Sequence, residues 1–176
     1  MSEGAETFRH VVCLAPMIRA SSLPLRLLAS EYGADLVWSE EIIASKIALC
    51  TRLQNKATGA IEFAARQGGH AVFQTLPLRE RVVFQLGCSS AADAVRAAEV
   101  VARDVVAVDV NMGCNKHAAV SCGMGAALTE DPAKAADLIK ALVRSVPCPI
   151  TAKIRLQDTP QRTIELVRAL EVTRVE

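Results

Sequence analysis

Short apolar runs alternate with longer amphipathic segments along the chain. Apolar runs of this length are typical of buried strands, and apolar residues spaced three and four apart are typical of helices. The pattern predicts five main strands, at 11–15, 35–39, 82–86, 105–110 and 149–154, and a short extra strand at 71–76. Helices are predicted at 22–32, 90–102, 131–143 and 159–170, with a weaker one at 42–49. The segment 51–69 fits neither pattern.

Each of the four stronger helices has a start signal. Ser22, Ser90, Asp131 and Thr159 are residue types that accept hydrogen bonds from the free amides of a first helical turn, and proline follows three of them. The repeated order of strand and helix predicts an α/β fold with a parallel sheet. An open doubly wound sheet and a β/α barrel both fit this order, and the pattern alone does not separate them.

Composition adds a limit on the core and on the surface. Of the 176 residues, 51% are hydrophobic but only 3% are aromatic, so we expect one domain with an aliphatic core of parallel strands. The formal net charge is +1, so any contact with RNA must come from a local patch. The runs 79–81 and 161–162 lack interleaved aromatic residues and are interpreted as solvated surface.

The cysteines and the N-terminus bear on the compartment. Six cysteines, at 13, 50, 88, 114, 122 and 148, form no Cys-x-x-Cys pair, so we predict no metal site and reduced thiols in a cytoplasmic protein. Residues 1–10 are polar, do not resemble a signal peptide and are predicted to form a disordered tail. No apolar run approaches the roughly 20 residues that span a bilayer, so no membrane contact is expected.

One stretch, 108–126, carries the candidate chemistry. An apolar strand there leads into Asn111, Gly113 and Cys114, and parallel strands present functional groups at their carboxyl ends. The Cys114 thiol is therefore expected to face a cleft. One alternative is a small buried hydrophobic residue, the common state of a free cysteine. Another is a nucleophilic pair of Cys114 with His117, although a loop of three residues does not ensure that the ring points back.

Residues 109–114, Asp-Val-Asn-Met-Gly-Cys, resemble the active-site signature of the tRNA-dihydrouridine synthases, which reads Asp-hydrophobic-Asn-x-Gly-Cys-Pro before a Gly-rich loop. Asn115 stands at the proline position, which leaves the loop backbone less restricted. Segment 123–128 is most similar to a eukaryotic branch of the family. The resemblance implies a (β/α)8 TIM-type barrel, incomplete here with about five units, so that 11–176 would be the N-terminal portion of a flavin-binding barrel.

The resemblance also implies a reaction. Members of the family reduce uridine in tRNA to 5,6-dihydrouridine with FMN and NADPH, and this branch acts in the D-loop. Hydride adds at C6 of the uracil and a proton must arrive at C5, for which Cys114 matches the proton donor. An ordinary thiol, with a pKa of about 8.5, is protonated at neutral pH and suits that task.

Further roles follow from the same resemblance. The cofactor-binding candidates are Pro16, Met17, Ile18, Gln85 and Lys153, and the substrate-binding candidates are Asn111 and Arg155. Gln85 on a buried strand needs a hydrogen-bond partner, which the pyrimidine edge of the flavin would supply. Lys153 is costly to bury alone and would meet the anionic reduced flavin. Arg155 is expected to face away from Lys153, unless the strand has already ended before it.

Because the chain is shorter than a complete barrel, alternatives to an active synthase stay open. A complete barrel needs about 250 residues, and the resemblance places the flavin-phosphate site and the tRNA-binding helical domain beyond residue 176. Whether this chain is active alone stays open. Unpaired sheet edges predict a second copy or a partner chain that covers them. The alternatives are a non-catalytic half-barrel interaction module and another FMN-dependent TIM-barrel oxidoreductase, of the dihydroorotate dehydrogenase kind.

Overall fold

The computed structural model describes residues 7–65, 68–173 and 175. The first half contains β1 (Cys13–Leu14), α1 (Leu23–Glu31), β2 (Leu36–Trp38), β3 (Ile42–Ile43), α2 (Ala44–Ile47), β4 (Cys50–Gln54), β5 (Ile61–Ala65), β6 (Phe73–Thr75) and β7 (Val82–Gly87). The second half contains α3 (Ala91–Val101), β8 (Ala107–Met112), α4 (His117–Val120), a 3-10 helix (Gly125–Leu128), α5 (Pro132–Ser145), β9 (Ile150–Ile154) and α6 (Pro160–Glu171). Within these ranges, no helix is long and apolar enough to cross a membrane. Residues 1–6 of the predicted tail at 1–10 lie outside the described residues.

The main sheet is parallel and has the strand order β1-β2-β7-β8-β9, with β3 also paired to β7. It curls into a half-barrel of five strands, which confirms the predicted incomplete barrel. β2 pairs with the beginning of β7, and β3 pairs with its end. Between these two pairings, the Ser39 hydroxyl accepts a hydrogen bond of 2.8 Å from the backbone N–H of Gln85. β1 and β9 are the two edges of this sheet, and their coverage by another chain stays a prediction.

The predicted helix starts are confirmed in position, and three of them also in mechanism. The side chains of Ser90, Asp131 and Thr159 each accept a hydrogen bond from the backbone N–H three residues later. Ser22 occupies the N-cap of α1, but its hydroxyl donates to the Ala20 carbonyl instead of accepting from the helix. These caps satisfy amides that have no partner inside the helix, so the boundaries are set locally.

The segment 51–69, which fitted neither pattern, contains most of β4 and all of β5. These strands form an antiparallel sheet in the order β4-β5-β6, and β6 confirms the short extra strand predicted at 71–76. β4 is mostly exposed and so shows no apolar alternation, which explains why the sequence pattern missed it. Phe63 of β5 stacks on Phe73 of β6 with ring centroids 5.5 Å apart, and Phe73 packs edge-on against Phe84 of β7 at 4.9 Å. The prediction of a purely aliphatic core is therefore wrong at this junction.

The interpretation of 79–81 as solvated surface is wrong for Glu80. Its carboxylate pairs with Arg26 through two bonds, Nε to Oε2 at 2.8 Å and Nη2 to Oε1 at 3.0 Å, and the side chains are 0% and 3% exposed. The Arg26 guanidinium also donates to the carbonyls of Ser21 and Gln74 and lies 5.4 Å from the Phe73 ring centroid. Full hydrogen bonding makes this burial of charge tolerable and joins α1 to the β6–β7 connection.

Candidate functional site

The carboxyl ends of β7, β8 and β9 and the segment after β1 border a cavity of about 220 Å³. It is lined by Pro16, Ile18, Glu41, Gln85, Asn111, Gly113, Cys114, Lys153 and Arg155. Every predicted site residue except Met17 is in this lining. The convergence follows from the parallel sheet, because the carboxyl ends of its strands lie at the same edge and bring together residues remote in sequence.

Cys114 lies two residues after the end of β8 and is half-buried at the cavity, not packed in the core. Its backbone N–H and that of Gly113 both donate to Oδ1 of Asn111, at 3.1 and 3.0 Å. Its carbonyl accepts a bond of 2.8 Å from the Ala126 N–H. The loop that carries the thiol is thus held from two sides. His117 is exposed and outside the cavity lining, which gives no support to the nucleophilic pair.

The Gly-rich segment after Cys114 is needed for close approach. Gly125 has φ +61°, and a Cβ at this position would collide with the Cys114 carbonyl oxygen and lie 3.0 Å from the Cys114 Cβ. Glycine satisfies both requirements, because it has no Cβ and adopts left-handed φ without strain. The sequence suggested a loop here, whereas the structure has the short α4 and the 3-10 helix.

A buried polar row crosses the sheet beneath the cavity. Gln85, Asp109 and Thr151 lie in register on β7, β8 and β9. The Gln85 Nε2 and the Thr151 Oγ1 each donate to the Asp109 carboxyl at 2.7 Å, and the Trp38 side chain also bonds to it. Burial raises the pKa of Asp109, and these hydrogen bonds and the charge of Lys153 oppose that rise only in part.

This row supplies the partner that a buried Gln85 requires. Because Nε2 of Gln85 is used by Asp109, its Oε1 faces the other way, 3.5 Å from Nδ2 of Asn111. Sequence reasoning gave Asp109 no role beyond its place in the motif. The signal that could have found it is the alignment of three polar residues on otherwise apolar neighbouring strands, which requires the strand register.

Lys153 and Arg155 line the same cavity and do not face opposite ways, and β9 has already ended at Ile154, which is the exception that the expectation left open. Residues two apart along a strand share a face, and Arg155 follows directly after the end of β9. Nε of Arg155 donates to the Gly113 carbonyl at 2.6 Å, and Nη2 lies 3.5 Å from Oδ1 of Asn115. Lys153 is exposed at the cavity, and within the described part of the chain its ammonium forms no ion pair.

The segment Pro16–Ile18 forms the apolar side of the site. Pro16 and Ile18 line the cavity, whereas the Met17 side chain is exposed and its backbone N–H donates to Oγ of Ser21 at 2.9 Å. A second cavity of about 320 Å³, which Asp109 and Thr151 also line, shares Pro16 and Lys153 with the first. Met17 is the one predicted site residue that does not line the 220 Å³ cavity.

Fold and site together define a β/α-barrel protein with a polar cavity at the carboxyl ends of its strands. A sequence profile described as dihydrouridine synthase (Dus) matches residues 13–174. The chain belongs to the dihydrouridine synthase family, which confirms the resemblance found from residues 109–114.

Individual relatives refine this result. The chain is 41% identical over 95% of its length to the tRNA-dihydrouridine(20) synthase (NAD(P)+) of Saccharomyces cerevisiae, covering 46% of that protein. It is 39% identical over 95% of its length to the protein of the same name in Schizosaccharomyces pombe, covering 36%. A human tRNA-dihydrouridine(20a/20b) synthase (NAD(P)+)-like protein is 30% identical, with 48% covered. The chain therefore spans less than half the length of each of these relatives.

Proposed function

We propose that the chain is the N-terminal portion of an FMN- and NADPH-dependent barrel that reduces uridine to 5,6-dihydrouridine in the D-loop of tRNA. The observation that carries the proposal is the cavity in which Cys114 meets Gln85 and Lys153. The names of the relatives support the substrate class and the use of a nicotinamide reductant.

The residues at the cavity fit the ring end of a flavin. Pro16 and Ile18 offer an apolar wall, Lys153 offers an ammonium group free of ion pairs within the described residues, and Gln85 turns its Oε1 away from Asp109. When bound, reduced FMN supplies the hydride, and NADPH restores it. Lys153 would attract the anionic ring, and the neutral wall would exclude water from one of its faces.

The chain itself supplies the proton and the orientation. The Cys114 thiol gives its proton to C5 of the uracil, which completes the saturation of the C5–C6 bond. Oδ1 of Asn111 holds the backbone on which the thiol is carried, and its Nδ2 group lies 3.5 Å from Oε1 of Gln85, so Asn111 joins the thiol loop to the cofactor side of the cavity, where it would contact the base. Arg155 fixes the same loop through the Gly113 carbonyl and is exposed at the cavity, where it can contact RNA.

Two cysteines allow a matched test. The purified chain is mixed with FMN, NADPH and a tRNA transcript, and flavin absorbance, NADPH oxidation and dihydrouridine are measured. Cys114→Ala is expected to keep flavin-dependent NADPH oxidation and to lose dihydrouridine, whereas the exposed Cys122, which is outside the cavity lining, can become alanine without effect. Dihydrouridine made by Cys114→Ala would remove the proton donor. A colourless protein that takes up no FMN would favour the interaction module.

A further inference from the structure

Glu41 lies in the cavity, although it is not among the site residues predicted from the sequence. It directly precedes β3, whose Ile42 pairs with Leu86 of β7, and this pairing carries Glu41 to the carboxyl end of the sheet beside Gln85. The neighbouring Glu40 behaves differently. Its Oε2 accepts the backbone N–H of Arg19 at 2.8 Å, and it is outside the cavity lining.

Gly87 makes room for the Glu41 side chain. A Cβ at Gly87 would lie 2.7 Å from Oε1 and 3.1 Å from Cγ of Glu41. The φ of Gly87 is not positive, so the backbone conformation does not require glycine at this position. A larger residue at this position would therefore displace the Glu41 carboxyl group and press on Cδ1 of Ile43, which would lie 3.0 Å from the added Cβ.

The carboxyl group has an unused acceptor. Oε1 of Glu41 is buried and, among the described residues, has no hydrogen-bond partner. Burial raises the pKa of Glu41, and the Asn111 amide and the charge of Lys116 oppose that rise. A buried polar atom without a partner is uncommon and requires an explanation. Because Oε1 of Glu41 is at a ligand cavity, a donor on the ligand is the explanation that we pursue.

We propose that Glu41 accepts the imide N–H of a pyrimidine-2,4-dione ring bound in this cavity, an inference that rests on the proposed function. Such a ring carries one N–H between two carbonyl groups. The acceptor at Glu41 complements the N–H, and the ammonium group of Lys153, which forms no ion pair among the described residues, complements a neighbouring carbonyl oxygen. Both uracil and the flavin contain this imide, so Glu41 serves as a specificity-determining contact for one of them.

Two pairs of probes distinguish these sources by equilibrium dialysis against the purified chain. The first pair is uridine and 3-methyluridine, and the second pair is lumiflavin and 3-methyllumiflavin. In both analogues a methyl group replaces the hydrogen of the imide N–H. The wild type is expected to bind the parent compound of one pair about tenfold more tightly than its analogue. Glu41→Ala should bind both members of that pair equally. Glu40→Gln, which keeps an acceptor for the Arg19 N–H, should retain the wild-type preference.

A second variant guards against misfolding as the explanation. Gly87→Ala keeps Glu41 but displaces its carboxyl group, and it should reduce the same preference in a protein whose thermal unfolding stays cooperative. A wild type without preference in either pair, a wild type that binds no probe, or a preference retained in Glu41→Ala would each overturn the inference. The Cys114 and Cys122 variants judge the proposed function separately, so a chain that makes dihydrouridine without a Glu41-dependent preference refutes this inference alone.

Discussion

Gln85 and Asp109 lie opposite each other on neighbouring parallel strands, and a hydrogen bond of 2.7 Å joins Nε2 of the amide to Oδ2 of the carboxyl group. Each residue is only 2% exposed. The carboxyl group fixes which end of the Gln85 amide faces the cavity, so a core residue determines what the site offers to a ligand.

The raised pKa of Asp109 predicts a pH dependence of stability. In the unfolded chain the carboxyl group titrates near its ordinary pKa of about 3.9, whereas burial raises the pKa in the folded state. The folded protein therefore retains this proton to higher pH than the unfolded chain does. The contribution of Asp109 is most favourable below the ordinary pKa, declines as pH rises through the folded pKa, and is constant above it.

Urea unfolding of the wild type and of Asp109→Asn between pH 4 and pH 8 measures this contribution. The stability of the wild type relative to the variant should fall as pH rises, because all other titrating groups are common to both proteins. A difference that stays constant, or that moves in favour of the wild type at high pH, would contradict the assigned direction of the pKa.

The buried ion pair predicts a large loss of stability when it is broken. Arg26→Met keeps much of the side-chain volume but leaves the Glu80 carboxylate buried without its cation, and we expect a loss of about 3–5 kcal/mol in unfolding free energy. Arg79→Met is the matched control, since Arg79 pairs with Glu31 at side-chain exposures of 60% and 58%. That variant should change stability by about 0.5 kcal/mol or less. Equal effects of the two variants would refute the distinction.

The close approach of Gly125 to Cys114 predicts that a side chain at position 125 impairs catalysis. Gly125→Ala combines left-handed strain with a collision against the Cys114 carbonyl, so we expect reduced stability and loss of dihydrouridine formation. Gly33 has φ +99° with nothing within 4 Å of an added Cβ, so Gly33→Ala should cost only about 1–2 kcal/mol of strain and leave catalysis unchanged. Catalysis retained in Gly125→Ala would show that the loop tolerates displacement.

The buried thiol of Cys88 is predicted to be chemically unreactive. Burial, followed by the charges of Glu41 and Asp93, raises its pKa to about 12. Because the thiolate is the reactive form, alkylation of Cys88 with iodoacetamide at pH 8 should be at least about a hundredfold slower than that of the exposed Cys122. Mass spectrometry after timed quenching gives both rates, and unfolding in urea should bring them close together. Rapid labelling of Cys88 in the folded protein would disprove its burial.

Much of the framework could be predicted because its signals are local. Helix starts follow from capping side chains such as Asp131, and the buried strands follow from apolar runs. Of the antiparallel sheet, β6 was predicted, whereas β4 and β5 were missed, and β4 is mostly exposed and shows no apolar alternation. Glu80 was misassigned for a related reason: between two arginines its sequence context is that of a surface residue, and its burial depends on Arg26 in a distant helix.

By itself, the sequence determined the order of strands and helices and, through residues 109–114, the family and the position of the thiol. Only the tertiary structure decided which polar groups meet. Gln85 and Asp109 are 24 positions apart and Arg26 and Glu80 are 54 apart, and a hydrogen bond between them exists only for one strand register and one helix placement. Capping and apolar periodicity act within a few residues, whereas these contacts depend on how the parallel strands align along their whole length.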